Sequence, residues 1–555
     1  MNTSLARMKR SVRFASILVV LLGSGGLWTG SASGQRAYVM DLPGDWTIDG
    51  DLPSNAMLIS LQGIANKKGP ALYFRYPPGW AFKFTTPVFN YYKDERSISF
   101  SELGSPEDAI AALGGFAKGY VVWDKSVRTS LTVAFTVAGL EDAIVVSEEF
   151  VPLMEQNGLK EIEDFRGDFD GMTDYEIYSW AIDKYWARCS RDFVIWMGGA
   201  SGKQMMPGVA DFGIYKRAFF TDLSADPADS LEYALHRKIL GDMKPTAIVM
   251  GWHSYAKDTE GQHVSLISSF GLRMEGLNTL PNASFSNQIP TTPGFRFTNN
   301  HHIGRDATVV PEEKVYIAAI QTDAIGIGAW EEAGRGRIPY AWEVTMNWTW
   351  LFPAQMQFFY ETATENDYFI GSLSGPGYMY PKPIPPDKHR ALIREAANLM
   401  KGLDLRVFEI MDYSEGNRYV GNIDLTREVI DRYYAGMPDA IGFVNGYGPA
   451  NTSDVRDGRP LMSYDYYLTP TRPERDAVLD LKELITLNPV RPYFLLIHVR
   501  ESSAIERVAN ILDQLGPDVE VVPLDVFLKM AGNSPTFIPR HLKEAGAAEY
   551  IMTDE

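Results

Sequence analysis

Eight short runs of β-forming residues recur in the C-terminal half of this chain, and helical patterns separate most of them. The runs cover residues 315–321, 338–343, 368–373, 405–411, 440–444, 461–467, 493–499 and 519–523. Most are apolar on both faces, which is typical of parallel strands buried between helices. Eight such strands alternating with helices predict an α/β fold with a (β/α)8-like barrel domain over residues 311–535.

Several features of the connections indicate that this barrel is distorted or incomplete. The connections 324–337 and 445–460 are too short, or too rich in Gly and Asp, for a full helix. The whole span is also shorter than the roughly 250 residues of a regular barrel. Two other connections contain capping-box spacing, at Thr471 with Glu474 and at Ser503 with Glu506, and we expect a helix to begin at each.

An N-terminal α/β region over residues 36–300 precedes the predicted barrel. Short apolar runs at 71–74, 120–124, 143–146, 193–197 and 247–252 alternate there with helical patterns. This spacing predicts one to three small α/β subdomains. Residues 278–306 are rich in Asn, Pro, Thr and Gly, and they form the best candidate for a linker.

Residues 1–34 have the pattern of a signal peptide. Four basic residues between positions 7 and 13 precede a short apolar run at 14–22, and small residues follow at 31–34. The run is shorter than the roughly 20 apolar residues that span a bilayer. We therefore expect an exported protein, periplasmic or secreted, with no membrane insertion after cleavage of the signal.

The charge balance limits the class of partner. The 555 residues include 70 Asp and Glu against 52 Lys and Arg, for a formal net charge of -18. Such an excess of acid would repel phosphate over most of the surface, so we expect no nucleic-acid partner. The single cysteine, Cys189, excludes an internal disulfide, and the sequence leaves the oligomeric state open.

Carboxylates follow several of the predicted strands, at the barrel end where active sites lie. Asp323 and Glu343 each end a strongly apolar run, and adjacent strands would bring them to one rim. Asp412 follows a third run. Glycoside cleavage requires one protonated and one ionised carboxyl, and these three residues are the catalytic candidates. The ordinary alternative is that such residues cap helices or lie in solvated loops.

Aromatic and polar residues near the same strand ends are candidates for binding a sugar. These substrate-binding candidates are Trp330, Tyr378, Tyr380, Tyr447, His498 and Arg500. Tryptophans are more often core residues, which is the ordinary alternative for Trp330. No cofactor or metal is expected, because His253 and the adjacent pair His301 and His302 lack the spacing of metal ligands.

The most distinctive segment is residues 375–381, with the sequence Gly-Pro-Gly-Tyr-Met-Tyr-Pro. Its glycines permit backbone conformations closed to other residues, and Pro381 restricts φ, so the segment predicts a shaped loop that presents two phenols. The segment resembles the signature of the bacterial GxGYxYP family, whose members are described as exported glycoside hydrolases. The resemblance extends over residues 60–63, 69–70, 119–122, 138–143 and 364–370.

This resemblance implies an exported, carbohydrate-active protein with an α/β N-terminal region and a barrel-like C-terminal domain. Its substrate would be an oligo- or polysaccharide, cleaved by carboxylate acid/base catalysis. One departure favours an alternative: residues 321–324 read Gln-Thr-Asp-Ala, where family members tend to carry Asp-Gly-Asp-Asn. The chain could therefore bind glycans without cleaving them. A polysaccharide lyase, in which a Tyr or His abstracts a proton, is a further alternative.

Overall fold

A computed structural model describes residues 35–82, 85–198, 202–323, 325, 329–416 and 421–542 of the chain. The predicted signal peptide and Ala324 lie outside the described residues. In the part described, no helix is both long and apolar enough to cross a membrane.

Two small parallel sheets lie in the first part of the chain. The first has the strand order β2-β1-β3 and the second has the order β5-β4-β6. The elements are β1 (Arg36–Asp41), α1 (Leu52–Ala65), β2 (Leu72–Arg75), α2 (Thr85–Asp94), β3 (Ser99–Glu102), α3 (Pro106–Leu113), β4 (Gly119–Val122), α4 (Arg128–Glu141), β5 (Ala143–Val146), α5 (Val151–Gln156), β6 (Glu161–Asp164) and α6 (Asp174–Tyr185). Short strands with apolar crossover helices explain the predicted α/β pattern.

A third parallel sheet follows, with the strand order β10-β9-β7-β8. Its elements are β7 (Phe193–Met197), α7 (Ala210–Tyr215), β8 (Phe219–Thr221), α8 (Ser230–Gly241), β9 (Ile248–Trp252), α9 (Glu260–Ser269), β10 (Arg273–Glu275) and α10 (Ala283–Ser286). The carboxyl ends of β9 and β10 lie in the middle and at one edge of this sheet. Loops at the carboxyl ends of parallel strands are the usual place for a ligand in such a sheet.

The C-terminal part is built on a ten-stranded, mainly parallel sheet. Its elements, with a separate small hairpin of β15 and β16, are β11 (Val315–Gln321), β12 (Tyr340–Val344), α11 (Trp348–Leu351), α12 (Pro353–Glu361), β13 (Asp367–Gly371), α13 (Pro386–Gly402), β14 (Val407–Ile410), β15 (Glu415–Gly416), β16 (Gly421–Asn422), α14 (Arg427–Gly436), β17 (Gly442–Pro449), β18 (Ser453–Arg456), β19 (Arg459–Tyr464), β20 (Tyr466–Leu468), α15 (Glu474–Leu487), β21 (Tyr493–Val499), α16 (Ile505–Leu512), β22 (Val519–Val521) and α17 (Leu524–Asn533). Each of the eight predicted β runs overlaps a strand.

The strand order of this sheet is an open path, and no closed barrel is found among the described residues. The path runs β18-β19-β17-β14-β13-β12-β11-β21-β20, and β22 also pairs with β11. The predicted run 461–467 is divided into β19 and β20 by Asp465. β19 pairs with β17 near one end of the strand order, whereas β20 pairs with β21 at the other end. This one stretch of chain therefore contacts both ends of the sheet.

Alternate residues of the large sheet pack in two different cores. Ile317 and Ala319 of β11 belong to the extended core shared with the helices, whereas Ala318 and Ile320 belong to a separate core with α17. Glu343 pairs in register with Ile370, a member of the second core, so Glu343 shares the face of Ile370.

Both predicted capping boxes are wrong. Neither predicted capping box forms, because α15 and α16 begin after Pro473 and Ala504, with no side-chain cap at either N-terminus. The hydroxyls of Thr471 and Ser503 therefore lie before the capping position.

Part of the predicted linker is packed against the first sheet. Asn282 is buried, and its side chain hydrogen-bonds Gln62 and the backbone of Phe74. These bonds tie α10 to the first sheet.

Candidate active site

A cleft of about 850 Å³ lies between the third sheet and the carboxyl ends of the large sheet. One wall comes from residues 252–277, which include the end of β9, the start of α9 and the end of β10. The opposite wall comes from the segments after β11, β12, β13, β14 and β21 and from the end of β17. Ala81 and Phe82, near the first sheet, complete the rim. A concave site of this size at strand ends is the usual form of a small-molecule or oligosaccharide site.

Asp323 lies on the large-sheet wall of the cleft, two residues after β11 ends. Its backbone has φ +67°, a left-handed conformation that is uncommon for a residue other than glycine. Its N–H donates to Glu343 Oε2 at 3.0 Å. Arg500, which follows β21, forms an ion pair with Asp323 Oδ2 at 2.7 Å and also pairs with Glu501. Backbone strain and ionic contacts therefore hold this carboxylate in one place.

The pKa of Asp323 is raised well above its ordinary value. Burial is the largest cause, and the charge of Glu501 and a hydrogen bond with Glu501 add to it, whereas Arg500 acts in the opposite direction. The charge of Glu260, on the other wall, also raises the pKa. Such a carboxyl retains its proton at a higher pH than an exposed aspartate and can serve as a general acid.

Glu343 lies directly beneath Asp323 and is fully buried. Its pKa is raised by burial first and then by Glu409, a buried carboxyl on β14 to which it hydrogen-bonds. Tyr464 donates its hydroxyl to Glu409 Oε2 at 2.7 Å. Burial also raises the pKa of Glu409. Two buried carboxyls in contact cannot both ionise at low cost, so this pair holds a proton.

The wall formed by the third sheet presents Glu260 at the N-terminus of α9. Thr259 caps this helix in a reciprocal capping box with Gln262, which fixes the position of the intervening Glu260. Tyr378 donates its hydroxyl to Glu260 Oε1. The Tyr378 ring stacks with Trp252 at a centroid distance of 6.2 Å. Glu260 is partly exposed and is therefore accessible from the cleft.

The segment 375–381 joins the two walls. Tyr378 and Met274 of β10 form an antiparallel bridge with two backbone hydrogen bonds of 2.8 Å. Gly377 is required beside this bridge, because a Cβ there would lie 2.7 Å from the Met274 carbonyl oxygen. Tyr380 lies behind Tyr378, with their hydroxyl oxygens 3.0 Å apart. The signature thus places one phenol in the cleft and supports it with the second.

Comparison with known proteins identifies the family. The second and third N-terminal domains of the GxGYxYP family match residues 117–189 and 191–288. Residues 313–532 match the "GxGYxYP putative glycoside hydrolase C-terminal domain". The chain belongs to the GxGYxYP family. No curated protein matches it.

A solved structure has a similar fold to this GxGYxYP protein. It is described as the crystal structure of a "putative hydrolase" from Bacteroides thetaiotaomicron VPI-5482. The two chains are 19% identical, with a TM-score of 0.74, and the match covers 90% of this chain and 95% of the other. The similarity therefore extends over the α/β N-terminal part as well as the C-terminal part.

Four of the residues predicted for the site of this GxGYxYP protein line the cleft, namely Asp323, Tyr378, Tyr447 and Arg500. Three others lie behind the lining. Glu343 contacts the Asp323 backbone, and Tyr380 contacts the Tyr378 hydroxyl. His498 is fully buried, hydrogen-bonds Thr322, and packs against Tyr447 with ring centroids 4.7 Å apart. Each of these three supports a lining residue and lacks access to a ligand in the cleft.

Trp330 and Asp412 do not line the cleft. Trp330 is buried in an aromatic core, where its ring lies 4.9 Å from that of Trp342 and its indole N–H donates to Thr362. Asp412 is fully buried, and it accepts from the backbone N–H groups of Lys382 and Ser414. It thereby anchors the residue that follows the GxGYxYP signature. The structure gives Trp330 a packing role and Asp412 a role in shaping the loop.

The wall formed by residues 252–277, with Glu260 and Glu275, was not predicted from the sequence. Glu275 ends β10, and burial raises its pKa to about 7. Both acids follow or end β-type runs of the N-terminal region, but no pattern in the sequence shows that this region faces the large sheet. Among the residues described, no group of three or more His, Cys, Asp or Glu side chains is arranged to hold a metal.

Proposed function

We propose that this protein is an exported glycoside hydrolase that cleaves a glycosidic bond by carboxylate acid/base catalysis in the cleft. The observation that supports the proposal most strongly is the raised pKa of Asp323, an aspartate about a quarter exposed beside an ionic partner. A carboxyl that keeps its proton to a higher pH than an exposed aspartate can donate that proton to the leaving oxygen of a glycoside. The family description and the α/β fold agree with this chemistry.

Glu260 is the best partner for Asp323 in this proposal. Glycosidases place their two carboxyls about 5 to 5.5 Å or 6.5 to 9.5 Å apart, so that a sugar lies between them. Glu501 hydrogen-bonds Asp323 and is too close to serve in that way. Glu343 is fully buried behind the cleft lining and cannot contact a sugar. Glu260 lines the opposite wall of the same cleft, accepts a hydrogen bond from Tyr378, and lies in the first turn of α9.

The large sheet would act as a broken barrel. β19 and β20 are separated by Asp465 alone, and together they bridge β17 and β21. The Asp465 N–H donates to the Leu496 carbonyl oxygen, and its carboxylate accepts from the Leu496 N–H at 2.8 Å. A short interruption of this kind would close the ring of strands without a continuous ladder. The domain boundary near residue 310, and export directed by residues 1–34, are part of the same proposal.

A lyase mechanism is disfavoured by the environment of the cleft tyrosine. The pKa of Tyr378 is raised well above its ordinary value, first by burial and then by the charge of Glu260. A tyrosine that resists ionisation is a poor base, whereas its hydroxyl is well placed to orient Glu260.

Conservative variants of the two acids test the assignment. Once a glycan panel has given a substrate, Asp323→Asn and Glu260→Gln should each reduce kcat by about 10²- to 10⁴-fold. Glu483→Gln, which changes an exposed carboxylate of α15 outside the cleft, is the matched control and should keep full activity. Undiminished turnover in either site variant would remove that residue from the mechanism. Binding without any turnover by the wild type would favour the non-catalytic alternative.

The pH profile offers a second test. Because Asp323 must donate a proton, activity should fall as the pH rises through its raised pKa, which places the alkaline limb above the range of an exposed aspartate. An alkaline limb that stays unchanged in a partly active Asp323 variant would contradict the role of general acid.

A further inference from the structure

The cleft lining has a strong imbalance of charge. Its acidic side chains are Asp258, Glu260, Glu275, Asp323 and Glu501, and four of them remain to carry negative charge when Asp323 holds the proton that it donates in the proposed mechanism. Arg500 is the only Lys or Arg among the described residues that line it. A concave site with one sign of charge focuses its field on the ligand, and this field is stronger than the same charges would give on an open surface.

Arg500, the only Lys or Arg of the described lining, is already paired with acidic side chains. Arg500 is bound by Asp323 on one side and by Glu501 on the other. Two other cations near the site are also bound, because Arg273 pairs with Glu395 and Lys382 pairs with Glu415. An acidic ligand would therefore find no free guanidinium or ammonium at the described lining, and it would face carboxylates on both walls.

The remaining lining suits an uncharged sugar. Trp252 and the largely exposed Tyr255 present flat apolar faces near the mouth. Tyr447 is 5% exposed, and its hydroxyl has no hydrogen-bond partner among the described residues. A buried hydroxyl without a partner costs free energy, and a ligand hydroxyl can recover it. Aromatic faces together with such polar groups match the C–H and O–H surfaces of a sugar ring.

We infer that the cleft selects glycans by charge: it takes sugars that are neutral or carry an amine, and it excludes sugars that carry carboxylate or sulfate groups. This inference rests on the proposed function, since it names the substrate class of the same site. The physical basis is repulsion, because an acidic sugar must be desolvated among carboxylates with no cation left to pair with it.

Glu275 offers a specific probe of the inference. It is 2% exposed and accepts a hydrogen bond from Asn347 Nδ2 at 2.8 Å, a bond that glutamine can also accept. Burial raises the pKa of Glu275 to about 7, so the carboxylate is mostly ionised at pH 8. Glu275→Gln removes this charge at pH 8 while keeping the shape of the side chain.

The test is isothermal titration of the wild type at pH 8 and low salt with sulfur-linked oligosaccharides, which resist hydrolysis. Each matched set shares one linkage and one length and contains glucose, glucuronate and glucosamine versions. In any set that binds, the acidic member should be at least about tenfold weaker than the neutral one, and the amine at least as tight as the neutral one. High salt should reduce the difference in affinity between the acidic and neutral ligands, because it screens the repulsion.

Variants separate the charge effect from other causes. Glu275→Gln should reduce the ratio of the dissociation constants of the acidic and neutral ligands by about threefold. The surface control Glu483→Gln should leave this ratio unchanged. Thermal melting checks that both variants are folded. An acidic ligand that binds as tightly as its neutral counterpart would contradict the selection by charge, but it would leave the proposed glycoside hydrolase function standing. If no set binds at all, the proposed function fails together with the inference.

Discussion

Asp323 is held through its backbone as well as through its carboxylate. Its left-handed conformation places the N–H on Glu343 Oε2, and Glu343 in turn contacts Glu409. The prediction that Glu343 is catalytic was based on its place at the end of β12, which is correct. Complete burial gives it a different task, since a group beneath the floor can position Asp323 but cannot contact a substrate.

Two variants of Glu343 separate these roles. Because burial and the neighbouring Glu409 raise the pKa of this carboxyl and so disfavour its charged form, the neutral variant Glu343→Gln should preserve the acceptor for the Asp323 N–H and most of the stability. Glu343→Met keeps the volume but leaves that N–H unpaired, which should cost about 1–3 kcal/mol. Urea unfolding at pH 7 measures the difference. Equal stability of the two variants would show that the hydrogen bond contributes nothing.

Asp211 allows a prediction for pH dependence. It is fully buried on α7 and accepts from the Ser284 N–H at 2.8 Å, and burial raises its pKa to about 7. A raised pKa in the folded state stabilises the protein below the ordinary value, near 3.8, and this contribution is lost as the pH rises to 7. The wild type should therefore lose stability relative to Asp211→Asn across this window, by up to about 1.4 kcal/mol per pH unit. Urea midpoints of both proteins between pH 4.5 and 7 check the sign, and a constant difference would contradict it.

At the scale of elements, the signature segment 375–381 acts as a join between two sheets. The sequence predicted a shaped loop, and its glycine and tyrosines do shape it. The partner strand β10, by contrast, lies about a hundred residues earlier and no local pattern points to it. A bridge between distant strands depends on how the sheets pack, so the periodicity within either segment does not predict it.

Gly377→Ala tests this join. The added Cβ would meet the Met274 carbonyl oxygen at 2.7 Å, which should destabilise the protein by about 1–3 kcal/mol and reduce activity by displacing Tyr378. Gly402→Ala, at the end of α13, is the matched control because a Cβ there has nothing within 4 Å. Thermal melting of both variants measures the effect, and equal melting temperatures would refute the close approach.

At the scale of the whole molecule, the cleft depends on both halves of the chain. Glu260 and Tyr255 come from the third sheet, whereas Asp323 and Arg500 come from the large sheet. A protein truncated to residues 310–542 should therefore bind and cleave no glycan, even where circular dichroism shows that it folds. Activity in the folded fragment would mean that the wall of residues 252–277 is dispensable.

The sequence by itself determined the strands, the family and the acids at strand ends. These follow from local rules: apolar runs favour strands, and carboxylates cluster where parallel strands end. It predicted four of the lining residues for the same reason. The tertiary structure alone decided that Glu343 and His498 lie behind the lining, that Trp330 belongs to the core, and that Glu260 lines the same cleft as Asp323. Whether a carboxylate is buried, paired or exposed depends on what packs against it, and those neighbours are distant in the chain.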